Sequence, residues 1–500
     1  MTRHVLVRAD GNGRIGLGHI MRSMSVADEL QRTGVEITYL CRSLPVWAEN
    51  LLHQRGFDLL YVQCEETASQ TEDAAATLTA FQRVGADAVL LDHYGLTGEW
   101  TECIRSRSSA FIAAFDDLAC DVRDVDMLID SGPGRIAADY EALVPPDAIC
   151  LLGPRYAPLR PEFALAGTES RGNEDGLCRI AISLGGVDPT NVTSVCLEAL
   201  DGRADVDVTV ILSSAAPHLK AVKDRIAAMQ TPTRLLLDRT DMARVLRDMD
   251  LVIGAGGTSA LERCALGLPS LLILLAENQA HNAANLTRAG ATTLVPDVSS
   301  RSIHETLQTL VADADLRASM GRAAASLCDG RGAPRVGAAI LAARTGVHLR
   351  PVTPDDMLLI HGWQCEPDAR RFARNPDTPA LAEHEKWFAR RLTKIACDPF
   401  YIIEAGQEAS GFVRLDPGSA PEVWEVSILI SQGAQGRGLG RTALGLLRLM
   451  HPKRKIEATV HPDNKASQRL FESAGYLRIA TDQFISDGWR EIVERQQNEN

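Results

Sequence analysis

A strand, a glycine-rich loop and a helix follow one another at the start of the chain, and this order strongly constrains the fold. Val5–Val7 is predicted as a buried strand, and a helix is predicted from near His19. The loop between them contains Gly11, Asn12, Gly13, Gly16 and Gly18. Such an arrangement points free backbone N–H groups at an anion. His19 adds a titratable group where a nucleotide's phosphate or its leaving bond would lie.

Two similar junctions occur later, at residues 182–191 and 251–262. In the second, Gly256 and Gly257 allow the backbone to approach a ligand closely, and Thr258 and Ser259 can cap the following helix and donate to phosphate. Glu262 could accept from the two hydroxyls of a ribose. Each loop alone is also explained by a tight connection. Three of them in two successive α/β regions favour a nucleotide held in a cleft between those regions.

Residues 1–165 and 170–345 each alternate strands with helices, which predicts two doubly wound, Rossmann-like α/β domains. A third α/β domain is predicted at residues 347–490, and residues 159–175 are predicted as a linker because of Pro161, Gly167 and Gly172. The predicted strands of the first domain are Val5–Val7, Val35–Leu40, Ala88–Asp92, Ala110–Phe115 and Met127–Ile129. Those of the second are Arg179–Leu184, Val208–Leu212, Arg234–Leu237, Leu251–Ile253 and Ser270–Leu274.

Composition excludes several classes of protein. The longest apolar runs, such as Leu271–Ala276, are too short to span a bilayer, and no signal peptide precedes the first strand, so we expect no stable membrane association. The 11 cysteines form no Cys-x-x-Cys pair, which fits reduced thiols and a cytoplasmic location. A net charge of −13 without a long basic run argues against a nucleic-acid partner.

Residues 1–345 resemble the UDP-sugar hydrolases of pseudaminic acid biosynthesis, which have the two-domain glycosyltransferase-B architecture and are similar to the murein glycosyltransferase MurG. The resemblance rests on residues 8–10, 16–22, 92–94, 115–118, 183–189, 254–264, 267–269 and 277–279. It implies cleavage of UDP-2,4-diacetamido-2,4,6-trideoxy-β-L-altropyranose to UDP and the free sugar. The catalytic histidine of the family falls on His19.

This chemistry needs a base that activates water and donors that stabilise charge on the departing diphosphate. The resemblance makes His19 the base, with Asp10 and Tyr94 as catalytic neighbours; Asp92 either orients water or sugar or caps a helix. No metal is expected, because the Asp-x-Asp pairs precede strands, away from the edge where ligands bind. The predicted substrate-binding residues are Gly16, Gly18, Arg22, Gly185, Gly186, Gly256, Gly257, Thr258, Ser259, Glu262, Asn278 and Gln279.

The third domain resembles the GNAT acetyltransferases. Glu425–Ile430 is predicted as a strand that leads into a glycine-rich loop and a helix, which fits the family's acyl-CoA pyrophosphate loop. A second strand at Ile456–Val460 precedes a segment of the family's Asn, Ser and Gly-Tyr pattern. The resemblance implies acetyl-CoA as acetyl donor, bound by Gln435, Gly436, Arg437, Gly438, Leu439, Gly440, Arg441, Asn464 and Ser467.

The proton transfers of this domain are left open by the sequence. Many GNAT members have a tyrosine, which protonates the leaving thiolate, where this chain has Phe471, and phenylalanine cannot donate a proton. Tyr476 or water could serve, or the thiolate could leave unassisted. Glu425 is a candidate base for the amine, although a surface glutamate fits the pattern equally well, and His461 is another candidate.

The two resemblances together predict a bifunctional enzyme. In the family's pathway, a GNAT enzyme acetylates the 4-amino group of a UDP-amino sugar, and the hydrolase then removes UDP. One alternative is a MurG-like glycosyltransferase, which shares the fold and the UDP site but needs an acceptor. Another is a non-catalytic UDP-sugar sensor whose GNAT domain modifies protein amines.

Overall fold

Three β-sheets organise the described part of the chain. The structure, a computed structural model, describes residues 4–11, 18–62, 68–165, 176–421, 423–451 and 454–486. The strand orders are β3-β2-β1-β4-β5-β6-β7, β10-β9-β8-β11-β12-β13 and β14-β15-β16-β17-β18-β20-β19. The chain divides into two compact units, one comprising Met1–Phe115, Arg123–Met127 and Pro334–Asn500, the other Asp116–Val122 and Leu128–Ala333.

The first sheet alternates strands and helices, as predicted. Strands β1, β2, β3, β4 and β5 pair in parallel. The sequence missed β3 and β7, two strands of four residues at the edges of the sheet. The elements are β1 His4–Ala9, α1 Gly18–Arg32, β2 Glu36–Cys41, α2 Val46–Gln54, β3 Asp58–Tyr61, α3 Gln70–Val84, β4 Ala88–Asp92, α4 Gly98–Arg105, β5 Phe111–Phe115, β6 Met127–Asp130, β7 Ile149–Leu152 and α5 Pro161–Leu165.

Helix α5 lies in the segment that was predicted as a linker. Leu159 and Phe163 are buried in the apolar core of the second sheet, so this part of the chain is packed structure. Pro161 does not mark a linker, because it occupies the first helical position of α5, where proline is tolerated. The rest of the predicted linker, residues 166–175, lies outside the described residues.

The second sheet is parallel throughout. On β8, Ile180 and Ile182 contribute to one apolar cluster and Ala181 to another, so both faces of the sheet are covered. The elements are β8 Cys178–Ser183, α6 Val192–Leu200, β9 Val206–Leu212, α7 Leu219–Ala228, β10 Thr233–Leu237, α8 Met242–Arg247, β11 Leu251–Ala255, α9 Ser259–Ala265, β12 Ser270–Ile273, α10 Ala280–Arg288, β13 Thr292–Leu294, α11 Ser300–Ala312, α12 Ala314–Leu327 and α13 Gly332–Thr345.

The third sheet is mixed: β17 and β18 pair in parallel, and the other neighbours pair antiparallel. The predicted class of two Rossmann-like α/β regions followed by an α/β GNAT domain is therefore confirmed. The elements are β14 Val347–Pro351, α14 Met357–Gln364, α15 Leu381–Leu392, β15 Phe400–Ala405, β16 Glu408–Pro417, β17 Val423–Ile430, α16 Leu439–Met450, β18 Lys455–Thr459, α17 Lys465–Ser473, β19 Tyr476–Arg478 and β20 Gln483–Ser486.

Helix α16 packs against the turn between α1 and β2, within the first compact unit. Arg441 donates to the Gly34 carbonyl oxygen, and Arg448 Nη1 donates to the Arg32 carbonyl oxygen at 2.6 Å. A Cβ at Gly445 would lie 3.0 Å from Thr33 Cβ and 3.1 Å from a methyl carbon of Leu341, so the approach is close because residue 445 has no side chain. Helix α16 of the third α/β region is thus packed directly onto the α1–β2 turn.

Candidate functional site

His19 and Asp92 form a buried pair at one edge of the first sheet. His19 lies in the first turn of α1, and Asp92 is the last residue of β4, which is hydrogen-bonded to β1. His19 Nδ1 is 2.6 Å from Asp92 Oδ1, and the two side chains are 6% and 0% exposed. An ionised Asp92 accepts a hydrogen bond, so it selects the tautomer in which Nδ1 carries the proton and donates. The Nε2 lone pair of His19 is then available to accept a proton from another molecule.

Arg22, one turn further along α1, holds the same carboxylate. Its Nε donates to Asp92 Oδ2 and its Nη2 to Asp92 Oδ1, both at 2.7 Å. Burial acts to raise the pKa of Asp92, but the charges of Arg22 and His19 and their hydrogen bonds outweigh it and hold that pKa below its usual value. Arg22 was predicted to contact substrate; the structure places its guanidinium against Asp92, where it fixes the carboxylate that orients His19.

Tyr94 covers the imidazole. The rings of Tyr94 and His19 meet edge to face, with centroids 4.5 Å apart and an angle of 83° between their planes. Tyr94 is 40% exposed, whereas His19 is buried. The tyrosine ring therefore packs against the buried imidazole from the more exposed side.

Asp10 lies in a different polar group from His19. Arg8 Nη1 is 2.9 Å from Asp10 Oδ1, His93 Nε2 is 3.3 Å from Asp10 Oδ2, and the Arg42 backbone N–H donates to Oδ1 at 2.5 Å. Burial acts to raise the pKa of Asp10, but His93 and Arg8 outweigh it and hold that pKa far below its usual value. No hydrogen bond joins Asp10 to His19 within the described part of the chain. A direct catalytic role for Asp10 therefore stays a prediction.

A network that the sequence did not predict supports this edge of the sheet. Arg8 Nη2 donates to Asp73 Oδ2 at 2.7 Å, and Trp100 Nε1 donates to Asp73 Oδ1 at 3.0 Å. All three side chains are buried. Arg8 and Asp73 are 65 residues apart, so no local pattern could have paired them.

Two glycines of the first loop were also predicted to bind substrate. Gly18 begins α1, and Gly16 lies among residues 12–17, outside the described residues.

The first glycine loop of the second sheet turns sharply. Gly185 has φ +96°, a conformation that favours glycine, and the Gly186 carbonyl oxygen accepts from the Ser213 backbone N–H at 2.8 Å. Asp188 then accepts from the backbone N–H groups of Val192 and Thr193 at 3.0 and 2.8 Å. The loop is thus fixed at both ends, by Ser213 and by the start of α6.

The second glycine loop is held by Gln279. The Gly256 backbone N–H donates to Gln279 Oε1 at 3.2 Å, and a Cβ at Gly256 would lie 3.3 Å from Gln279 Cβ. Gly257, Thr258 and Ser259 follow, and Ser259 begins α9. The structure therefore brings Gln279 to the loop that the sequence had assigned to the same ligand. The side chain of Asn278 lies outside what the structure describes.

Glu262 and Arg263 lie within α9. Glu262 Oε1 is 3.5 Å from Arg160 Nη2; burial raises the pKa of Glu262, and Arg160 partly offsets that effect. Arg263, which the sequence analysis did not single out, is 2% exposed and donates to the Ala255 carbonyl oxygen at 2.7 Å and to Ser270 Oγ at 2.9 Å. Burial lowers the pKa of Arg263 to about 10, so it is a cation at neutral pH.

The loop before α16 has the backbone conformation expected of an anion site. Gly436 and Gly438 have φ +75° and +77°, and a Cβ at either position would meet no atom within 4 Å. The first N–H groups of the 12-residue helix α16 have no partners from within the helix. An open glycine loop with unpaired amide donors fits the pyrophosphate of acetyl-CoA.

The four side chains predicted around this loop lie in four different settings. Arg437 is half exposed, 3.7 Å from Glu408. Arg441 donates to the Gly34 carbonyl oxygen, as described above, so its contact with pyrophosphate stays a prediction. Asn464 Oδ1 accepts from the Ser467 backbone N–H at 3.1 Å and caps α17. Gln435 Nε2 lies 3.3 Å from the Ile430 carbonyl oxygen, at the end of β17.

Glu425 lies where β17 and β18 separate. The pairing of these strands runs from Val423 opposite Lys455 to Glu425 opposite Glu457, although β17 continues to Ile430. Glu425 Oε1 accepts from Arg374 Nη2 at 2.5 Å, and its side chain is 19% exposed. Phe471 is buried against Tyr476 and Phe484. Tyr476 is also buried, and its hydroxyl has no hydrogen-bond partner among the described residues.

The described ranges contain no candidate metal centre and no candidate membrane span. No group of three or more histidine, cysteine, aspartate or glutamate side chains there could hold a metal ion. None of the helices in the same ranges has both the length and the apolar character needed to cross a membrane.

Comparison with known proteins relates the chain to two families. Residues 347–477 match the acetyltransferase (GNAT) domain, and residues 202–331 match the glycosyltransferase family 28 C-terminal domain. The spore coat polysaccharide biosynthesis protein SpsG of Bacillus subtilis is 26% identical over 345 residues, which cover 67% of this chain and 96% of that protein. The UDP-2,4-diacetamido-2,4,6-trideoxy-β-L-altropyranose hydrolase of Campylobacter jejuni is 24% identical over 286 residues, covering 57% of this chain and 97% of that enzyme.

The fold of the first two sheets is also that of a solved structure. MurG of Acinetobacter baumannii superposes with a TM-score of 0.51 at 17% identity, covering 68% of this chain and 99% of that protein. The chain therefore joins a region of MurG-like, glycosyltransferase-B fold, related in sequence to SpsG and to a UDP-diacetamido-sugar hydrolase, to a GNAT acetyltransferase domain.

Proposed function

We propose that this protein acetylates the amino group of a UDP-4-amino sugar and then hydrolyses the resulting UDP-2,4-diacetamido sugar to UDP and the free sugar. The hydrolytic step is supported by the buried His19–Asp92 pair, in which Asp92 accepts a hydrogen bond from Nδ1. His19 Nε2 can then act as the base that takes a proton from water. The name of the Campylobacter jejuni relative supports the substrate.

In the hydrolytic step, water attacks the anomeric carbon of the sugar. The new bond joins the water oxygen to that carbon, the bond from the carbon to the diphosphate oxygen breaks, and UDP leaves with the bonding electrons. The proton of the water passes to His19 Nε2, and the resulting imidazolium is stabilised by Asp92. The glycine loops around Gly185 and Gly257 are the predicted source of backbone donors for the UDP moiety.

In the acetyl-transfer step, the sugar amine attacks the thioester carbonyl of acetyl-CoA. A carbon–nitrogen bond forms, the carbon–sulfur bond breaks, and Glu425 accepts the proton that the nitrogen loses. The thiolate takes its proton from water, because the buried Phe471 cannot donate one. The match of residues 347–477 to the GNAT domain supports acetyl-CoA as the donor.

A MurG-like glycosyltransferase is the second candidate, favoured by the match of residues 202–331 to the glycosyltransferase family 28 C-terminal domain. The two activities differ in the molecule that attacks the sugar: water in a hydrolase, an acceptor hydroxyl in a transferase. An assay without any acceptor therefore separates them.

Incubation of the diacetamido substrate in ¹⁸O-water, with no acceptor present, tests the hydrolytic step. We expect UDP and free sugar in equal amounts, with no ¹⁸O in the UDP, because the phosphate oxygens keep their bonds when water attacks carbon. Mass spectrometry of the UDP is the readout, and heat-denatured protein is the control. Incorporation of ¹⁸O into UDP would show attack at phosphorus, and no UDP release without an acceptor would favour the transferase.

A further inference from the structure

Three carboxylates lie side by side on the third sheet. Asp416 of β16, Glu425 of β17 and Glu457 of β18 are directly opposite one another in the register of the three strands. Residues in such a row project from the same face of a sheet. The three carboxylates therefore lie on the same face of the sheet, but each one pairs with different residues.

Two of the three carboxylates are held by the body of the domain. Asp416 pairs with Arg391 at 2.6 Å and with Arg414 at 3.1 Å. Glu457 accepts from the Ser419 backbone N–H at 2.6 Å and from Ser419 Oγ at 2.8 Å.

Glu425 differs from these two acids because its partner is a surface side chain. That partner, Arg374, lies between α14 and α15, and its side chain is 78% exposed. An exposed arginine loses little free energy when it leaves a carboxylate, because solvent screens the pair.

A cavity of about 370 Å³ contacts this ion pair. It is lined by Arg374, Glu425 and Glu457, and also by Ala458 and Thr459 of β18. Its position is the point at which β17 and β18 separate, and β17 leads from there to the glycine loop before α16. The volume falls within the range of small-molecule pockets. Glu425 lies near the start of β17, and the other end of this strand leads to the loop predicted to bind acetyl-CoA. An amine bound at Glu425 is therefore on the same strand as that loop.

We propose that Arg374 binds a phosphate group of the acceptor and in doing so releases Glu425 to receive the amine. An opposite-charge pair that faces a cavity is complementary to a ligand carrying both charges: the cationic amine replaces arginine at Glu425, and an anionic group replaces glutamate at Arg374. Arginine is suited to phosphate because its planar fork donates two hydrogen bonds at once. This assignment rests on the proposed function, since a UDP-amino sugar carries an amine and a diphosphate on one ring.

The assignment makes Arg374 a determinant of acceptor specificity. Acetyl transfer is measured by release of the CoA thiol, with the UDP-4-amino sugar and with the same amino sugar lacking UDP. For Arg374→Ala we expect the KM for the UDP-linked acceptor to rise about 10-fold or more, because the variant loses a charge-assisted hydrogen bond to the phosphate. Its kcat should change little, and kcat/KM for the free amino sugar should not fall. Arg374→Lys should recover part of the affinity, because it keeps the charge but not the fork.

Arg390→Ala is the matched control, because Arg390 is an exposed arginine of α15 that does not line the cavity. It should behave as the unaltered protein with both acceptors. Equal losses with both acceptors in Arg374→Ala would show that Arg374 only positions Glu425, and unchanged kinetics would exclude any role; either result overturns the assignment. If the unaltered protein acetylates neither acceptor, the proposed function itself fails.

Discussion

Replacement of His19 by alanine should lower UDP release from the diacetamido substrate at least about 100-fold, the lower end for a positioned general base. The variant removes the Nε2 atom that accepts the proton of water but leaves Asp92 paired with Arg22. The carboxylate therefore keeps a cationic partner, and the fold should persist. Acetyl transfer to the UDP-4-amino sugar should be nearly unchanged, because Glu425 belongs to a different sheet. Steady-state assays of UDP release and of CoA thiol release measure the two activities separately.

His53→Ala is the control for this experiment, since His53 is an exposed histidine of α2. It should retain both activities. Asp92→Asn is a poorer test, because it would leave the buried Arg22 without its carboxylate and could destabilise the protein. UDP release by His19→Ala at near the original rate would remove His19 from the mechanism.

Replacement of Glu425 by glutamine should have an effect of similar size on the other reaction, lowering kcat for acetyl transfer at least about 100-fold. Glutamine has nearly the same shape and can still accept a hydrogen bond from Arg374, but it cannot take a proton from the amine. UDP release from the preformed diacetamido substrate should be unaffected. The kcat loss expected here contrasts with the KM change expected for Arg374→Ala.

Glu383→Gln, at an exposed position in the first turn of α15, removes a carboxylate elsewhere in the same domain and should leave acetyl transfer intact. Melting temperatures of both variants should match that of the unaltered protein. Retention of full kcat by Glu425→Gln would point to another base, and His461, which is half exposed on the loop after β18, would be the next residue to test.

The interior strands of the first two sheets could be predicted because their sequences are continuous apolar runs bounded by turn residues. Strands β3, β7 and β13 were missed for a physical reason: they are three or four residues long and lie at sheet edges, where at most one residue of each strand is buried. The carboxyl end of β4 was a candidate location for site residues from the sequence alone. Asp92 pairs with His19 and not with a helix terminus, because β1 and β4 are neighbours in the sheet and bring the start of α1 to the end of β4.

Contacts between distant segments account for most of what the sequence could not supply. Arg441 fits the pyrophosphate pattern in every local respect, yet the packing of α16 onto the α1–β2 turn brings its guanidinium to Gly34. Likewise, Glu425 and Arg374 are 51 residues apart, and only the fold of the GNAT domain brings them together. Patterns of glycine and apolar residues therefore predict backbone sites, whereas the partners of charged side chains require the tertiary structure.

The claim that one chain performs two successive steps is tested most directly by the UDP-4-amino sugar with and without acetyl-CoA. A free amine is cationic or strongly hydrated, whereas its acetamide is neutral and partly apolar, so a pocket shaped for the amide leaves polar groups unpaired against the amine. Such a mismatch costs about 1–3 kcal/mol, or about 5- to 150-fold in rate.

Mass spectrometry and NMR of a time course give the answer. We expect slow UDP release from the amine alone; with acetyl-CoA, CoA thiol should appear first, followed by UDP and a free sugar bearing the new acetamide. Release of UDP at equal rates with and without acetyl-CoA would show that acetylation does not precede hydrolysis.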